Sequence, residues 1–292
     1  MRLKHVLGFA AALAACLAAP SSAQTPARTW SHYAGVTEVQ LRDVAAYVRV
    51  RPEDRSDVLV SITNTGPLPA PQFRTSRGRL TIDGQLRRQI RDCDVDGRAG
   101  FSVEVARRGR VENNRLPVIE LRVPRNVDLA VGGATRLSVG PSRTLSLRLD
   151  GCGDADIERV DGAAEIAIAG RPDVRLYDAG ETTIAMSGQG DVVLGLARGG
   201  LTLSIAGQGD FTAARVDGPT NIAVQGPGDV TIRDGRATTL SVALAGAGDV
   251  THGGSAERLD AVVLGSGDVR VRRVDGPVSR RVLGGGEVVV GR

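Results

Sequence analysis

A carboxylate recurs at near-constant spacing in the second half of this chain. Residues 151–288 repeat the phrase Gly-x-Gly-Asp-apolar eight times, and the first glycines of successive copies lie 19, 18, 19, 19, 20, 19 and 19 residues apart. Copies stacked about 4.8 Å apart would bring like charges together. The carboxylates therefore need a partner that offsets their repulsion. The acidic positions are Asp154, Asp173, Asp191, Asp210, Asp229, Asp249, Asp268 and Glu287.

Two kinds of chemistry could offset that repulsion. Each Asp can accept hydrogen bonds from the backbone N–H groups of its own corner, as Asx-turn residues do. The flanking glycines would then supply the positive φ that corners often need. Alternatively, divalent cations could bind between copies, but calcium-binding β-rolls use a nine-residue Gly-Gly-x-Gly-x-Asp repeat that this chain does not match. We therefore favour a structural corner ladder.

A second acidic cluster resembles the start of a calcium loop. Residues 92–97 read DCDVDG, which places oxygens at positions one, three and five and a glycine at six. The closing Glu would belong at Val103, whereas Glu104 comes one residue later. An exposed acidic loop beside a disulfide is the favoured interpretation. The weak candidates for calcium are Asp92, Asp94 and Asp96.

Residues for catalysis are sparse. After residue 23 the chain has two histidines, His32 and His252, far apart in sequence, and neither Gly-x-Ser-x-Gly nor His-Glu-x-x-His occurs. Trp30 is the single tryptophan. We predict no catalytic residues and no cofactor, with a β-helical polysaccharide-active enzyme as the alternative.

The elements that would carry the carboxylates are short strands. Each Asp is followed by alternating apolar residues, such as Val192 and Leu194, and a second alternating stretch, such as Ile184 and Met186, precedes the next glycine. This period of two indicates strands with one buried face. About 19 extended residues would span roughly 60 Å, which suits one coil rather than one strand. The repeat predicts an all-β, single-stranded, right-handed parallel β-helix with about 19 residues per coil, the handedness following from connection preference.

The first half has looser spacing. Strand candidates such as 118–123, 127–131 and 145–149 lead directly into the regular repeat. We predict a signal peptide at 1–23, a flexible start at 24–35, irregular first coils with longer loops at 36–150 and regular repeats at 151–292. A separate small β-domain in the first half is the alternative.

The amino terminus predicts export. Arg2 and Lys4 precede an apolar, alanine-rich run, and a small-residue cleavage site ends at Ala23. In the alternative, Cys16 lies in a lipobox and becomes a lipid anchor. The protein is expected in the periplasm or at the cell surface, with no transmembrane segment in the mature chain.

Two cysteines remain after this cleavage. An exported compartment permits disulfides, so we expect a bond between Cys93 and Cys152 that ties the irregular first half to the first regular coil. The alternative is two unpaired, buried thiols.

Charge is unevenly distributed along the mature chain. Residues 24–150 carry 21 Arg against 14 acidic residues, a balance of +7, whereas residues 151–292 carry 14 Arg against 19, a balance of −5. The arginines could bind an anionic envelope polysaccharide, although a solvated arginine surface is the favoured interpretation. Nucleic acid is not expected as a partner. Another protein is possible, because the apolar final strand ending at Val290 predicts end-to-end self-association through an unpaired edge.

The repeats, the strand-rich opening and residues 121–124 (LRVP) together resemble the head (GIN) domain of putative auto-transporter adhesins over about residues 36–290. The resemblance implies an exported β-helical protein with an adhesin-like role and no established catalytic residues. Two copies depart from the pattern, at 170–173 and at Glu287. We therefore predict a non-catalytic, exported cell-envelope protein that is adhesin-like or structural, with a polysaccharide-active enzyme or a calcium-binding envelope protein as alternatives.

Overall fold

The structure is a computed structural model that describes residues 29–63, 66–96 and 100–291. The predicted signal peptide and Cys16 lie outside these residues. Within them the chain is all-β and forms a parallel β-solenoid of about nine turns, which confirms the predicted fold class. Handedness stays a prediction. No helix among the described residues has the length and apolar character needed to span a bilayer.

Twenty-four strands and one short 3-10 turn make up this part of the chain. The strands are β1 Ser31–Tyr33, β2 Glu38–Glu53, β3 Val58–Thr63, β4 Gln72–Ser76, β5 Arg79–Asp83, β6 Ile90–Asp96, β7 Gly100–Val105, β8 Gly109–Glu112, β9 Val118–Pro124, β10 Asn126–Val139, β11 Thr144–Arg159, β12 Ala164–Ala179, β13 Thr182–Met186, β14 Val192–Ala197, β15 Leu201–Ile205, β16 Phe211–Asp217, β17 Thr220–Val224, β18 Val230–Ala237, β19 Leu240–Leu244, β20 Val250–Ala256, β21 Leu259–Val263, β22 Val269–Val274, β23 Val278–Val282 and β24 Val288–Val290. The 3-10 turn is Asn113–Arg115.

Each coil contributes one strand segment to each of two parallel faces. The front sheet contains the segments that precede each Gly-x-Gly-Asp corner, from β5 and the first part of β2 through β10–β12 to β13, β15, β17, β19, β21 and β23. The back sheet contains those that follow the corner, from β9 and the second part of β2 to β14, β16, β18, β20, β22 and β24. The long strands β10–β12 run through the corner and belong to both.

The core lies between the two sheets and consists of columns of equivalent apolar residues. Partners in one column, such as Ile184 and Leu203, are 19 residues apart and occupy the same height in successive coils. Their alternation along each strand puts every second residue inside. One such column is Ile166, Ile184, Leu203, Ile222, Val242 and Ala261, each no more than 3% exposed.

The corner glycines are required by close stacking. A Cβ on Gly209 would lie 2.1 Å from the carbonyl oxygen of Gly190 in the preceding coil, and one on Gly207 would lie 2.0 Å from that of Gly188. From Gly188 onward no corner glycine has a φ in the left-handed region. The expectation that these glycines supply positive φ was therefore wrong for most copies and holds for the first ones, such as Gly151.

The first half adds strands to the same two sheets. β2 pairs in parallel with β10, so residues 38–53 form a coil beneath the regular repeat. β4 covers the front sheet and β3 and β1 cover the back sheet, each by antiparallel pairing. Tyr33 of β1 stacks on Phe73 of β4 with ring centroids 6.0 Å apart. Residues 31–33, expected in a flexible start, therefore form part of the cap on this end.

A three-stranded antiparallel meander, β6–β8, is inserted between β5 and β9. It has its own apolar cluster, centred on Phe101, Val103 and Leu116, which packs against Ala45 and Ala134 of the solenoid. The longer loops expected in the first half are thus a small folded unit attached to the coils.

We predict that Gly209→Ala lowers the free energy of unfolding by roughly 1–3 kcal/mol, because the added methyl group would overlap a backbone oxygen that cannot move freely. Gly285→Ala is the matched control, since a Cβ there meets no atom within 4 Å. Urea denaturation of both variants checks this. Equal loss of stability in both would show that the coil spacing is not the cause.

Candidate functional site

A groove of 680 Å³ lies on the outside of the front sheet. It crosses the strands of six coil segments, from β2 through β10–β12 and β13 to β15. Five steps of about 4.8 Å between strands make it roughly 24 Å long. Its floor is formed by small outward residues that include Ala130, Gly132, Ala167, Ala169, Ala185, Ser187, Ser204 and Ala206.

One end of this groove is charged. Arg42 and Asp43 of β2, Arg87 of the β5–β6 loop, and Arg148 and Asp150 of β11 line it. The Arg148 guanidinium pairs with Asp128 at 3.2 Å, whereas Arg42 and Arg87 make no ion pair with any described residue. Two guanidinium groups are therefore available to an incoming ligand, beside the carboxylates of Asp43 and Asp150.

A β-bulge builds this charged end. Between β2 and β10 the register shifts, so that Arg42 and Asp43 together oppose Gly132. Asp43 has φ 50°, a left-handed value that is costly for a residue other than glycine. Bulges redirect side chains and are enriched beside functional sites.

The same bulge anchors the loop that carries Arg87. The Gly84 N–H donates to the Arg42 carbonyl oxygen at 2.9 Å, and the Leu86 N–H donates to the Asp43 carbonyl oxygen at 3.2 Å. The bulge thus holds Arg87 beside Arg42 by backbone hydrogen bonds. An elongated floor of small side chains with guanidinium groups at one end can bind an extended ligand that carries acidic groups.

The corner carboxylates bond from coil to coil. The Asp191 N–H donates to Oδ1 of Asp173 at 3.0 Å, and the Asp210 N–H donates to Oδ1 of Asp191 at 2.9 Å. The same bond recurs at 2.8 to 2.9 Å through Asp229, Asp249 and Asp268 to the N–H of Glu287. This ladder offsets part of the repulsion between stacked carboxylates.

The Asp side chains were expected to accept backbone hydrogen bonds, but the donor was expected to be an N–H of the same corner. Each Asp accepts the N–H of the next coil rather than that of its own corner, because the corners stack directly over one another. Asp154 differs: β11 runs through its corner as a continuous strand, and burial raises the pKa of this carboxyl, with Arg136 opposing the shift. At the other end the Asp268 N–H and the Arg270 guanidinium lower the pKa of Asp249.

The calcium-loop candidates lie in a strand. Asp92 and Asp94 belong to β6, which pairs with β7 in the meander, so residues 92–96 do not curl around a cation. Arg171 contacts the carboxylate of Asp92 at 3.0 Å, and Arg110 contacts that of Asp94 at 2.9 Å. Asp96 ends the strand. Within the described residues no group of three or more His, Cys, Asp or Glu side chains could hold a metal.

The residue between the two glycines of the corner repeat attaches the meander β6–β8 to the solenoid in two successive coils. Cys152, between Gly151 and Gly153, forms the disulfide with Cys93, which confirms that prediction. One coil later the same position holds Arg171, the partner of Asp92. In later coils it holds Gln189 and Gln208, whose side chains hydrogen-bond each other at 3.3 Å. The departure of residues 170–173 from the repeat therefore coincides with a second attachment point.

The two histidines, His32 and His252, lie in different environments. His32 contacts Asp57 near the covered end. His252 is 1% exposed and lies in a core column between Ile232 and Val271. Burial lowers its pKa, while the backbone carbonyls of Gly254 and His252 and the charge of Asp234 oppose this.

Sequence reasoning missed the groove. Its floor reads as ordinary outward alanines and serines, and only the mismatch of one residue between β2 and β10 marks the bulge. It also missed Tyr177, the one described aromatic residue with more than half of its surface exposed, at 59%.

We predict that acid weakens the ladder at Asp249. Because its folded pKa is lowered, this carboxylate contributes stability in full above its ordinary pKa of 3.8, and the contribution is lost as the pH falls through the lower folded value. Asp249→Asn should flatten the fall in the urea midpoint below that pH. Asp260→Asn, which leaves the ladder intact, is the control. A steep fall retained in Asp249→Asn would contradict the ladder's role.

We predict that His252 makes the protein less stable in mild acid. Its folded pKa is lowered, so its stabilising contribution is complete above its ordinary pKa of 6.5 and declines below it as the unfolded chain takes up the proton. His252→Val should remove this slope and raise stability at about pH 5, since Ile232 and Val271 occupy the same column. Thermal denaturation between mildly acidic and neutral pH measures it. An unchanged slope would assign the effect to other groups.

A comparison with protein families finds a match within the part of the chain that carries the regular repeat. Residues 196–290 match the model of the family described as putative auto-transporter adhesin, head GIN domain. No curated protein matches the chain in sequence. Over residues 36–195 the resemblance stays a prediction.

Solved structures resemble the chain over most of its length. The crystal structure of a putative adhesin from Parabacteroides distasonis ATCC 8503 has 14% identity and a TM-score of 0.49, and the alignment covers 90% of this chain and 97% of that one. A putative lipid binding protein from the same strain has 15% identity and a TM-score of 0.44, covering 92% and 98%. A putative adhesin from Parabacteroides merdae ATCC 43184 has 10% identity and a TM-score of 0.45, covering 91% and 97%.

The coil repeat, the stacked glycine corners and the family match coincide in the second half of the chain. Residues 196–290 are therefore similar to the head GIN domain of putative auto-transporter adhesins.

Proposed function

We propose that this chain is a non-catalytic, exported, adhesin-like protein that binds an anionic polysaccharide of the cell envelope in the groove of the front sheet. The observation that carries the proposal is the bulge-built end of the groove. It aligns Arg42 and Arg87 with a floor of small side chains that crosses six strand segments. Export is supported by the sequence of residues 1–23 and by the family match.

The rigid floor suits binding of a long chain. Parallel strands bonded on both sides keep the outward alanines and serines at fixed spacing, so little conformational entropy is lost when a ligand lies on them. Arginines at one end then bind carboxylate or sulfate groups by paired hydrogen bonds. Screening by salt weakens such contacts, so the affinity should fall with ionic strength.

We predict that Ala185→Arg lowers the affinity for an anionic polysaccharide such as alginate at least tenfold, about 1.4 kcal/mol, because the side chain fills the groove floor. Ala243→Arg is the matched control: it adds the same charge in the same outward row of the front sheet, three coils away and outside the groove. Calorimetry on the mature protein checks this.

The outcomes separate the alternatives. Equal binding by both variants would remove the groove from the proposal. Failure of the wild type to bind any acidic polysaccharide would remove the ligand class. Release of new reducing ends from the polysaccharide would show turnover and reverse the non-catalytic assignment.

A further inference from the structure

The last described coil has two strand edges with no neighbour beyond them. β23 pairs only with β21, and β24 pairs only with β22. All five residues of β23 are exposed. An open edge of this kind is a template for another strand. Most of the exposed large apolar side chains of the described residues gather here, namely Val262, Leu264, Val278, Val282, Leu283 and Val289.

A charge interrupts this apolar end. Arg280 is in register with Ala261 and continues the core column that includes Ile166. Its Nη1 reaches across the open end, from β23 toward β24, and donates to the carbonyl oxygen of Val288 at 3.4 Å. Every earlier coil of this column has a buried apolar side chain, whereas the last has a guanidinium group.

The free energies of burying Arg280 and its apolar neighbours on β23 favour an end that stays uncovered. A strand pair added here would bury the Arg280 guanidinium above Ala261, and an unpaired charge costs several kcal/mol to bury. Val278 and Val282 are already more than half buried, at 43% and 39% exposed. Covering them completely would yield roughly 1 kcal/mol each. The cost of the charge therefore exceeds the gain from Val278 and Val282, the two valines of β23 that share the inward face with Arg280.

The corner of the same coil also departs from the repeat. In earlier coils an Asp accepts the N–H of the next coil, and Asp268 does so for Glu287 at 2.9 Å. Glu287 has one more methylene group, which displaces its carboxylate from the place where a following N–H would lie. Two of the positions that would meet a further coil, Arg280 and Glu287, therefore carry a residue type that earlier coils do not have there.

We propose that Arg280 blocks strand addition at this end and thereby keeps two copies of the chain from associating end to end. A second copy is the partner in question, because two identical ends would pair β23 with β23 and cover the same apolar side chains. The opposite end is covered by β1 and β4. The sequence predicted end-to-end association from the apolar residues that follow Glu287. The proposal differs from that prediction because Arg280 lies at the same end of the solenoid.

The test compares Arg280→Val with Arg281→Val in the mature protein, residues 24–292. Both remove one positive charge from β23, but only residue 280 lies in the core column, since Arg281 is in register with the outward Val262. Val is compatible with the column, so Arg280→Val should fold, and far-ultraviolet circular dichroism verifies this. Sedimentation velocity over a wide concentration range gives the oligomeric state.

Arg280→Val should show concentration-dependent dimers with a dissociation constant at least about tenfold below that of the wild type. Arg281→Val and Arg280→Lys should sediment like the wild type. Adding Val282→Lys to Arg280→Val should restore the monomer and locate the contact at this end. The proposal is overturned if Arg280→Val sediments like the wild type, or if Arg281→Val associates to the same extent.

Discussion

Direct stacking of one coil on the next is the constraint on which the rest of the structure depends. The corners approach so closely that a Cβ on Gly207 or Gly209 would overlap a carbonyl oxygen of the coil before. That approach lets the N–H of each corner reach the Asp of the preceding coil. It also sets the height at which core side chains meet, so the columns, the ladder and the open strand edges follow from one spacing.

A scaffold of this kind separates stability from recognition. Inward positions form apolar columns and tolerate few departures. Among the polar residues at such positions, His252 and Arg280 each have a physical consequence. Outward positions are free to vary because they contribute little to the core. The corner position between the glycines illustrates this, since it holds the disulfide at Cys152, an ion pair at Arg171 and an amide contact at Gln189.

The groove lies where the regular scaffold meets the irregular first half. Repeats from 151 onward supply part of its floor, but its charged end comes from a bulge in β2 and from the loop that the bulge anchors. The regular coils alone present flat faces. Irregularity in the opening coils therefore creates the concave surface that the proposed function needs.

The sequence by itself determined the coil, its period and the apolar columns, because these depend on residue types that recur at fixed intervals. It predicted the Cys93–Cys152 bond, which the structure confirms. The tertiary structure decided the direction of the Asp ladder, the true reason for the corner glycines and the placement of Asp92 and Asp94 in a paired strand. Each of these depends on which residue of one coil lies against which residue of the next. Register between coils is a long-range property, and the spacing of residues within one repeat does not contain it.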